Sequence, residues 1–537
     1  MAEPEPLLRG DSGSWLALAG EILRIAWPIS LSWLTNTLGG IIVLILLRRD
    51  EVGMAAIGLA NVLCNITGRT LLWGLGAAFD TYASQAWGAN EPRLVGLYAQ
   101  RVLLLLTVVV NLPMAALWLN ADPLLRALGQ ADDVSAKVGA FARIRLPGQF
   151  AAAIVCVLMK VLISIGETRP LVIANTLCAV VSLALMLGLI WGMGLGVIGA
   201  AIALTANDLL MAATLLIAAV CNANCRKCWG GWSGECCRGW PEYLRLAFPS
   251  LLMVVCEEWS WDVVTFLAGL CTSADGGVHV PKRRLLAAQG WLASILNMSY
   301  SLSGPIGRGT GTLIGNALGG GQPARAQRAA SVGVGLTALI MFGVAGGLLA
   351  SRGWWSFVIP DDGEGAAAES GSGSAAGTPT IAGIMGQLLP YNAVFVWADG
   401  LQMALTGAIT GAGAQGATTP VLVISYWLLG LPLGCVWAFA RPRLGLLGIW
   451  LGMLVAVYLH MGVYCFICFG GGCIPCAIRW EAAAQEAEER TARDAGASGG
   501  SASWEPTSPL VAAGCTNAEV SGPTAAPRPR VLLSDGT

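Results

Sequence analysis

The sequence predicts an all-α polytopic membrane protein of about twelve spanning helices. They form two six-helix lobes related by a pseudo-two-fold axis along the membrane normal. Three observations predict it. Charge is scarce: of 537 residues, 55% are hydrophobic and only 12% charged, with a mean hydropathy of +0.66. Soluble domains carry roughly 25% charged residues, so this chain needs a bilayer as its apolar solvent. Apolar runs of spanning length recur along it. A polar phrase is also written twice, as QAWGANEP (85–92) and NALGGGQP (316–323). The copies share Ala, Gly and Pro at an offset of 231 residues, and Gly76 and Thr81 upstream recur as Gly307 and Thr312.

Each span rests on its own apolar run of about twenty residues or more. In the first half they fall near 20–47, 54–78, 95–119, 138–164, 170–193 and 195–221. In the second half they fall near 242–271, 285–312, 327–359, 380–411, 417–440 and 444–470. One copy of the phrase follows the second span and the other follows the eighth, the second of its half. The same phrase in the same loop predicts two lobes of common design. Six crossings return the chain to its starting side, so the repeat is parallel, with a site between the lobes. The resulting boundaries are an N-terminal cytosolic tail at 1–18, a first lobe at 19–235, a second lobe at 236–478 and a C-terminal cytosolic tail at 479–537.

The connecting stretches add detail. From Glu481 the chain turns charged, then rich in Ser, Gly, Ala and Pro, so the tail to Thr537 is expected to be disordered. The segment 363–377 reads as a flexible loop insertion. A small excess of loop Lys and Arg on one side, with the acidic 361–369 loop on the other, places both termini in the cytosol. The N-terminal MAEPEPLLRGDSGSW is acidic and lacks an apolar core, so it is not read as a cleavable signal or transit peptide. It does hold an acidic dileucine pattern, Glu3 with Leu7 and Leu8, which points to the vacuolar membrane or the plasma membrane. A net charge of -1 suggests no nucleic-acid partner.

Sixteen cysteines are present, and two clusters stand out. One holds Cys221, Cys225, Cys228, Cys236 and Cys237; the other holds Cys465, Cys468, Cys473 and Cys476. CxxC pairs can ligate zinc. Both clusters lie at a membrane edge on the cytosolic side, where S-acylation or plain reduced thiols fit better. No metal is expected.

An ionisable group inside a span is a functional candidate. The seventh span, PSLLMVVCEEWSWDVVTFLAGL, holds Glu257, Glu258 and Asp262. Glu258 and Asp262 are four apart and share a helix face, while Glu257 is turned about 100° from Glu258. The tenth span offers Asp399 and Gln402; Gln289 in the eighth and Tyr426 in the eleventh are polar candidates for the same cavity. Acids in a cavity can load and release protons and attract a cation. The structural alternative is acids hydrogen-bonded to Trp, Ser or backbone between helices. Lys160, Arg69, Arg143 and Arg145 lie in or near spans, and each can snorkel to an interface or pair with a lobe acid. His279 and His460 have no partner spacing that suggests a metal or a catalytic dyad.

These stretches resemble the multidrug and toxic compound extrusion (MATE) family of transporters, in its eukaryotic branch, over about 20–470. GLGAAFDTYASQAWGA with YAQR is similar to the family's loop after the second helix, and GNALGGGQPARAQRAA to the loop after the eighth. The residues of these loop motifs are Asp80, Thr81, Gln85, Gly88, Asn316 and Gly319. LAFPSLLMVVCEEWSWD and LQMALTGAITGAGAQGATTPVLVISYWLLGLPLG resemble the seventh and the tenth to eleventh helices. The resemblance implies an antiporter exporting organic solutes by alternating access, driven by protons, with sodium the alternative coupling ion, and with no cofactor. Its partners would be a small organic solute and the lipid bilayer, and it would act as a monomer. The family's seventh-helix pattern maps onto Glu257 through Asp262 and implies Glu257 and Asp262 as the functional acids, with Asp399 the acid of the tenth helix. Glu258 stands where the family has an aromatic, and Asp262 replaces a Glu. The first span holds only Asn36 where bacterial relatives often place an Asp, so coupling is expected in the second lobe.

Organic cations fit the acids. Organic anions such as citrate or flavonoid conjugates are the alternative cargo. A lipid-linked flippase of the same superfamily would want a basic cavity, against the acids of the seventh helix. A membrane acyltransferase would need a partnered His or Cys, so an enzyme is not expected.

Overall fold

The computed structural model describes residues 14–47, 51–273, 280–355, 380–440, 443–470 and 477–497, the side chains of 36, 38–47, 51, 52, 54, 55 and 283 excepted. The expectations for Leu7 and Leu8, the Asn36 side chain, the loop 361–369 with its 363–377 insertion, His279, Cys473, Cys476 and the chain beyond 497 lie outside the described residues.

Twelve long helices follow one another among the described residues. In the first lobe they are α1 (Trp15–Leu47), α2 (Glu51–Cys64, a π-helical turn Asn65–Arg69, then Thr70–Gly88), α3 (Pro92–Leu119), α4 (Asp132–Ser164), α5 (Arg169–Gly192) and α6 (Gly196–Cys221). In the second lobe they are α7 (Trp240–Leu270), α8 (Lys282–Gly319), α9 (Pro323–Gly353), α10 (Ile381–Ala412), α11 (Gln415–Phe439) and α12 (Leu446–Phe469). Eight of them are long and apolar enough to cross a membrane by length and composition alone. Of the others, α7 carries three acids at mid-helix and α8 is studded with Ser, Asn and Gln. Trp191, Leu339 and Phe266 stand 79%, 72% and 68% exposed. Large apolar side chains so placed are what lipid-facing surfaces carry.

Helices α2 and α8 run to Gly88 and Gly319, past the expected ends near 78 and 312. Most of the repeated phrase is thus helical rather than loop. Of its polar residues, Gln85 bonds across the molecule, to the Gly411 carbonyl. The tail expected from 479 also begins as a helix, α13 (Trp480–Ala497), with Trp480, Ala484, Ala487 and Thr491 buried.

The largest contacts between the lobes are three helix pairs, α1 with α8, α2 with α7, and α2 with α8, and α1 with α9 and α2 with α10 add smaller ones. Exchanging α1 for α7 and α2 for α8 turns the first pair into the second and leaves the third unchanged. That is the relation a parallel repeat requires. Within the second lobe, α8 and α10 approach on glycine. A Cβ on Gly407 would stand 1.9 Å from the Gly307 carbonyl, and one on Gly411 2.4 Å from that of Gly311. Small residues four apart let helix backbones touch in a membrane.

Candidate functional site

The buried stripe of α7 includes Met253, Ser260, Val264 and Ala268. Glu257 falls on that stripe, four residues after Met253 and three before Ser260. It therefore points into the second lobe. There Gln402 Nε2 donates to Glu257 Oε1 at 3.2 Å, and the Tyr426 hydroxyl donates to Gln402 Oε1 at 3.1 Å. Both Gln402 and Tyr426 are buried. Each bond fixes one end of the Gln402 amide, so its N–H must face the carboxylate. Asp399 sits one helical turn before Gln402, and it and Glu258 act electrostatically on Glu257. The Ser260 hydroxyl bonds back to the Glu257 carbonyl at 2.7 Å, a local competitor of the helical ladder at the acid itself.

The acids adjoin the lobe junction. Tyr300 of α8 lies in electrostatic range of Glu257, Glu258 and Asp399. Its ring stacks on Trp33 of α1, centroids 5.2 Å apart and planes 8° off parallel. The Arg308 guanidinium sits over Trp33 at 5.0 Å and over Trp73 of α2 at 5.2 Å. A first-lobe aromatic wall thus faces a second-lobe acid cluster.

The structure brings Glu257, Asp399, Gln402 and Tyr426 together. Glu258 and Asp262 lie on the other flank of α7, in range of each other, with Glu258 exposed. Gln289 makes a different contact: it accepts from Trp450 Nε1 at 3.1 Å, within an aromatic group that includes Trp261 and Phe395. His460 is buried edge-on between Tyr464 and Tyr426 at 4.0 and 5.7 Å.

The motif residues of the repeated phrase build the junction at the opposite end of α2 and α8. Thr81 donates its hydroxyl to the Thr410 carbonyl and accepts from Gln415 at 2.9 Å. Gln85 donates to the Gly411 carbonyl at 3.1 Å. A Cβ on Gly88 would stand 2.1 Å from the Asn316 carbonyl oxygen, and one on Gly319 2.0 Å from that of Gln85. The two contacts are two-fold mates, which answers why the phrase is repeated. Asp80 pairs with buried Lys160 inside the first lobe. Arg325 of α9 joins Glu21 of α1 at 3.0 Å on the same face.

Sequence reasoning named Arg145 and Arg69 as able to pair with a lobe acid but missed that acid, Asp208 of α6, which Arg145 of α4 meets at 2.8 Å, with Arg69 at 3.7 Å. The rule that flagged α7 applies to Asp208 within its apolar span. Arg143 is exposed, as snorkelling requires. Tyr300, Trp33 and Arg308 were also missed, because only lobe docking unites them. At the membrane edge, Cys221 and Cys237 are exposed. Burial pushes the Cys225 and Cys228 thiols up to about 11 and about 12. Among the described residues, no three His, Cys, Asp or Glu side chains group to hold a metal.

A family profile described as MatE matches residues 28–190 and 249–436. The chain is 30% identical to multidrug and toxin extrusion protein 2 of Mus musculus, over 84% of this chain and 73% of that one. It is 28% identical to multidrug and toxin extrusion protein 1 of Homo sapiens, over 82% and 71%. Among solved structures it superposes on the eukaryotic MATE transporter AtDTX14 with a TM-score of 0.76, at 23% identity, over 89% of this chain and 99% of that one.

Proposed function

The chain belongs to the MatE family, a multi-pass membrane transporter and not an enzyme, and from that premise we propose that it is an antiporter exporting small organic cations in exchange for protons. The relatives named for multidrug and toxin extrusion support the cargo class. The observation that carries the coupling is the Glu257–Gln402–Tyr426 chain with Asp399 beside it, in the lobe whose Tyr300 stacks on Trp33 of the other.

The proposed exchange follows from competition for charge. Trp33 is covered by Tyr300 and by Arg308, so the outer face of Tyr300 is the π surface this junction offers to an organic cation. Exposed Glu258, with Asp262 behind it, offers that cation a counter-charge. Glu257 lies within electrostatic range of Glu258. A proton on Glu257 therefore weakens the field that holds the cation, and a bound cation favours the ionised Glu257. Each ligand lowers the affinity for the other by the same factor, which is the reciprocity antiport needs. Alternating access then requires the α2–α8 junction to part while the acid-bearing end closes. We also place the protein, as a monomer, in the vacuolar or plasma membrane; Leu7→Ala with Leu8→Ala should relocate a tagged chain if the dileucine is read.

The test is uptake of a fluorescent organic cation into proteoliposomes under an imposed pH gradient. Wild type should accumulate it. Glu257→Gln should lose the pH drive, while Asp262→Asn, on the other flank, should raise KM for the cation. Gradient-driven uptake surviving in the double variant would refute the assignment. Uptake driven by sodium but not by pH would move the same oxygens to sodium coupling. Exchange only for anions would overturn the cargo.

A further inference from the structure

Helix α13 lies on the face where the repeated phrases meet, and its neighbours belong to both lobes: α8 and α9 of the second, α2 and α3 of the first. Its buried stripe, Trp480, Ala484, Ala487 and Thr491, follows helical spacing. Its polar flank is bonded, not merely solvated. Arg490 Nη1 donates to Gln85 Oε1 at 2.6 Å, and its guanidinium covers the Tyr82 ring at 5.3 Å. Asp494 accepts from the Tyr98 hydroxyl of α3.

Gln85 is itself a crossing residue. Its amide donates to the Gly411 carbonyl of the second lobe, and its own carbonyl lies against Gly319. Arg490, Gln85 and Gly411 thus form one chain of hydrogen bonds from α13 through the first lobe into the second. Beside it lies a groove of about 470 Å³ lined by Gly88–Glu91, Gly319–Gly321 and the Glu488 to Ala495 flank of α13. Separation of α2 from α8 at this end must break the Gln85–Gly411 bond and lift α13 from one lobe.

We propose that α13 is a strap across this face, and that Arg490 and Asp494 are positioning residues that hold the two lobes closed there between transport cycles. This goes beyond the exporter reading and holds for any cargo or coupling ion. Arg490 acts through Gln85, and Asp494 through Tyr98; neither touches the acid cluster described above. A charged donor on a buried amide is among the stronger side-chain bonds, so its loss shifts an opening equilibrium by about tenfold.

The measurement is hydrogen exchange by mass spectrometry on the full chain in lipid, without substrate. Peptides covering 84–90 and 314–321 report the crossing, and peptides covering 449–457 in the core of α12 report general stability. Arg490→Ala and, separately, the milder Tyr98→Phe should each raise exchange about tenfold at the crossing and leave α12 unchanged. Arg490→Lys, which keeps one donor for Gln85, should fall between Arg490→Ala and wild type. In transport, both variants should leave KM unchanged while turnover changes. Unchanged exchange at the crossing in both variants would overturn the strap. So would a rise spread evenly into α12, which would mark α13 as ordinary packing. Because exchange is read without cargo or gradient, a failed antiport assay leaves this test intact.

Discussion

At the scale of single residues, Gln402 is the point on which the second-lobe site turns. It is buried between a carboxylate and a phenol and holds each with one end of its amide. Gln402→Leu keeps the volume and removes both bonds. Buried Tyr426 loses its acceptor and Glu257 a donor, at about 1–3 kcal/mol for each group left unmatched. The expected result is a lower melting temperature together with loss of pH-driven uptake; uptake at the wild-type rate would show the chain to be incidental. In the first lobe, Arg145 and Asp208 have side chains only 11% and 10% exposed. Asp208→Ala strands a buried guanidinium and should destabilise by about 3–5 kcal/mol. Adding Arg145→Met should recover part of that loss in a double-mutant cycle on thermal unfolding, and simple additivity would count against the pairing. The cysteines differ by exposure. With its thiol pushed up to about 12 by burial, Cys228 at pH 8 is ionised to only about one part in ten thousand. Maleimide reacts with the thiolate, so exposed Cys221 and Cys237 should label first, and Cys228 only as pH rises well above 8. Peptide mapping reads this directly.

At the scale of elements, π-helical turns interrupt α2, α3, α5 and α11. Three of them hold polar side chains that bond within a lobe: Arg69 near Asp208, Asn111 with Gln149, and Tyr426 with Gln402. A π turn re-aims the side chains after it, which is why Tyr426 reaches Gln402 rather than lipid. Nothing in a hydropathy profile marks such turns, so their consequences were not legible. The helix count was legible only in part from length and apolarity, which mark eight of the twelve, and the repeated phrase supplied the rest of the six-plus-six plan. The acids of α7 were half legible. The wheel grouped Glu258 with Asp262, as the fold does, whereas family likeness grouped Glu257 with Asp262, and the fold instead sets Glu257 beside Asp399. Helix α13 was not legible as a docked helix. Its buried stripe is mostly Ala and Thr, too weakly apolar to stand out from a charged tail, and its partners become visible only once the lobes are together.

At the scale of the whole molecule, the repeated phrase makes a prediction that depends on symmetry. Gly88 of α2 lies on the Asn316 carbonyl of α8, and Gly319 of α8 lies on the Gln85 carbonyl of α2. Each offset is the same, so the contacts are one contact written twice. A Cβ at either position would sit about 2 Å from backbone oxygen. Neither helix can yield locally, because a carbonyl in a helical ladder has no rotamer to change. The relief must come from the lobes moving apart at this face. Gly88→Ala and Gly319→Ala should therefore cost about the same, roughly 1–3 kcal/mol each as overpacking. Both should raise exchange at the crossing peptides of both lobes, not only at the mutated one. The double variant should cost less than the sum, since one separation relieves both clashes. The controls are Gly343→Ala and Gly347→Ala in α9, where an added Cβ meets nothing within 4 Å. A clear inequality between Gly88→Ala and Gly319→Ala, or strict additivity, would mean that the lobes do not close as two-fold mates at this face. Equal and sub-additive effects would make this junction a single hinge-like closure, shared by two halves that carry the same phrase because each must supply the glycine and the carbonyl the other needs.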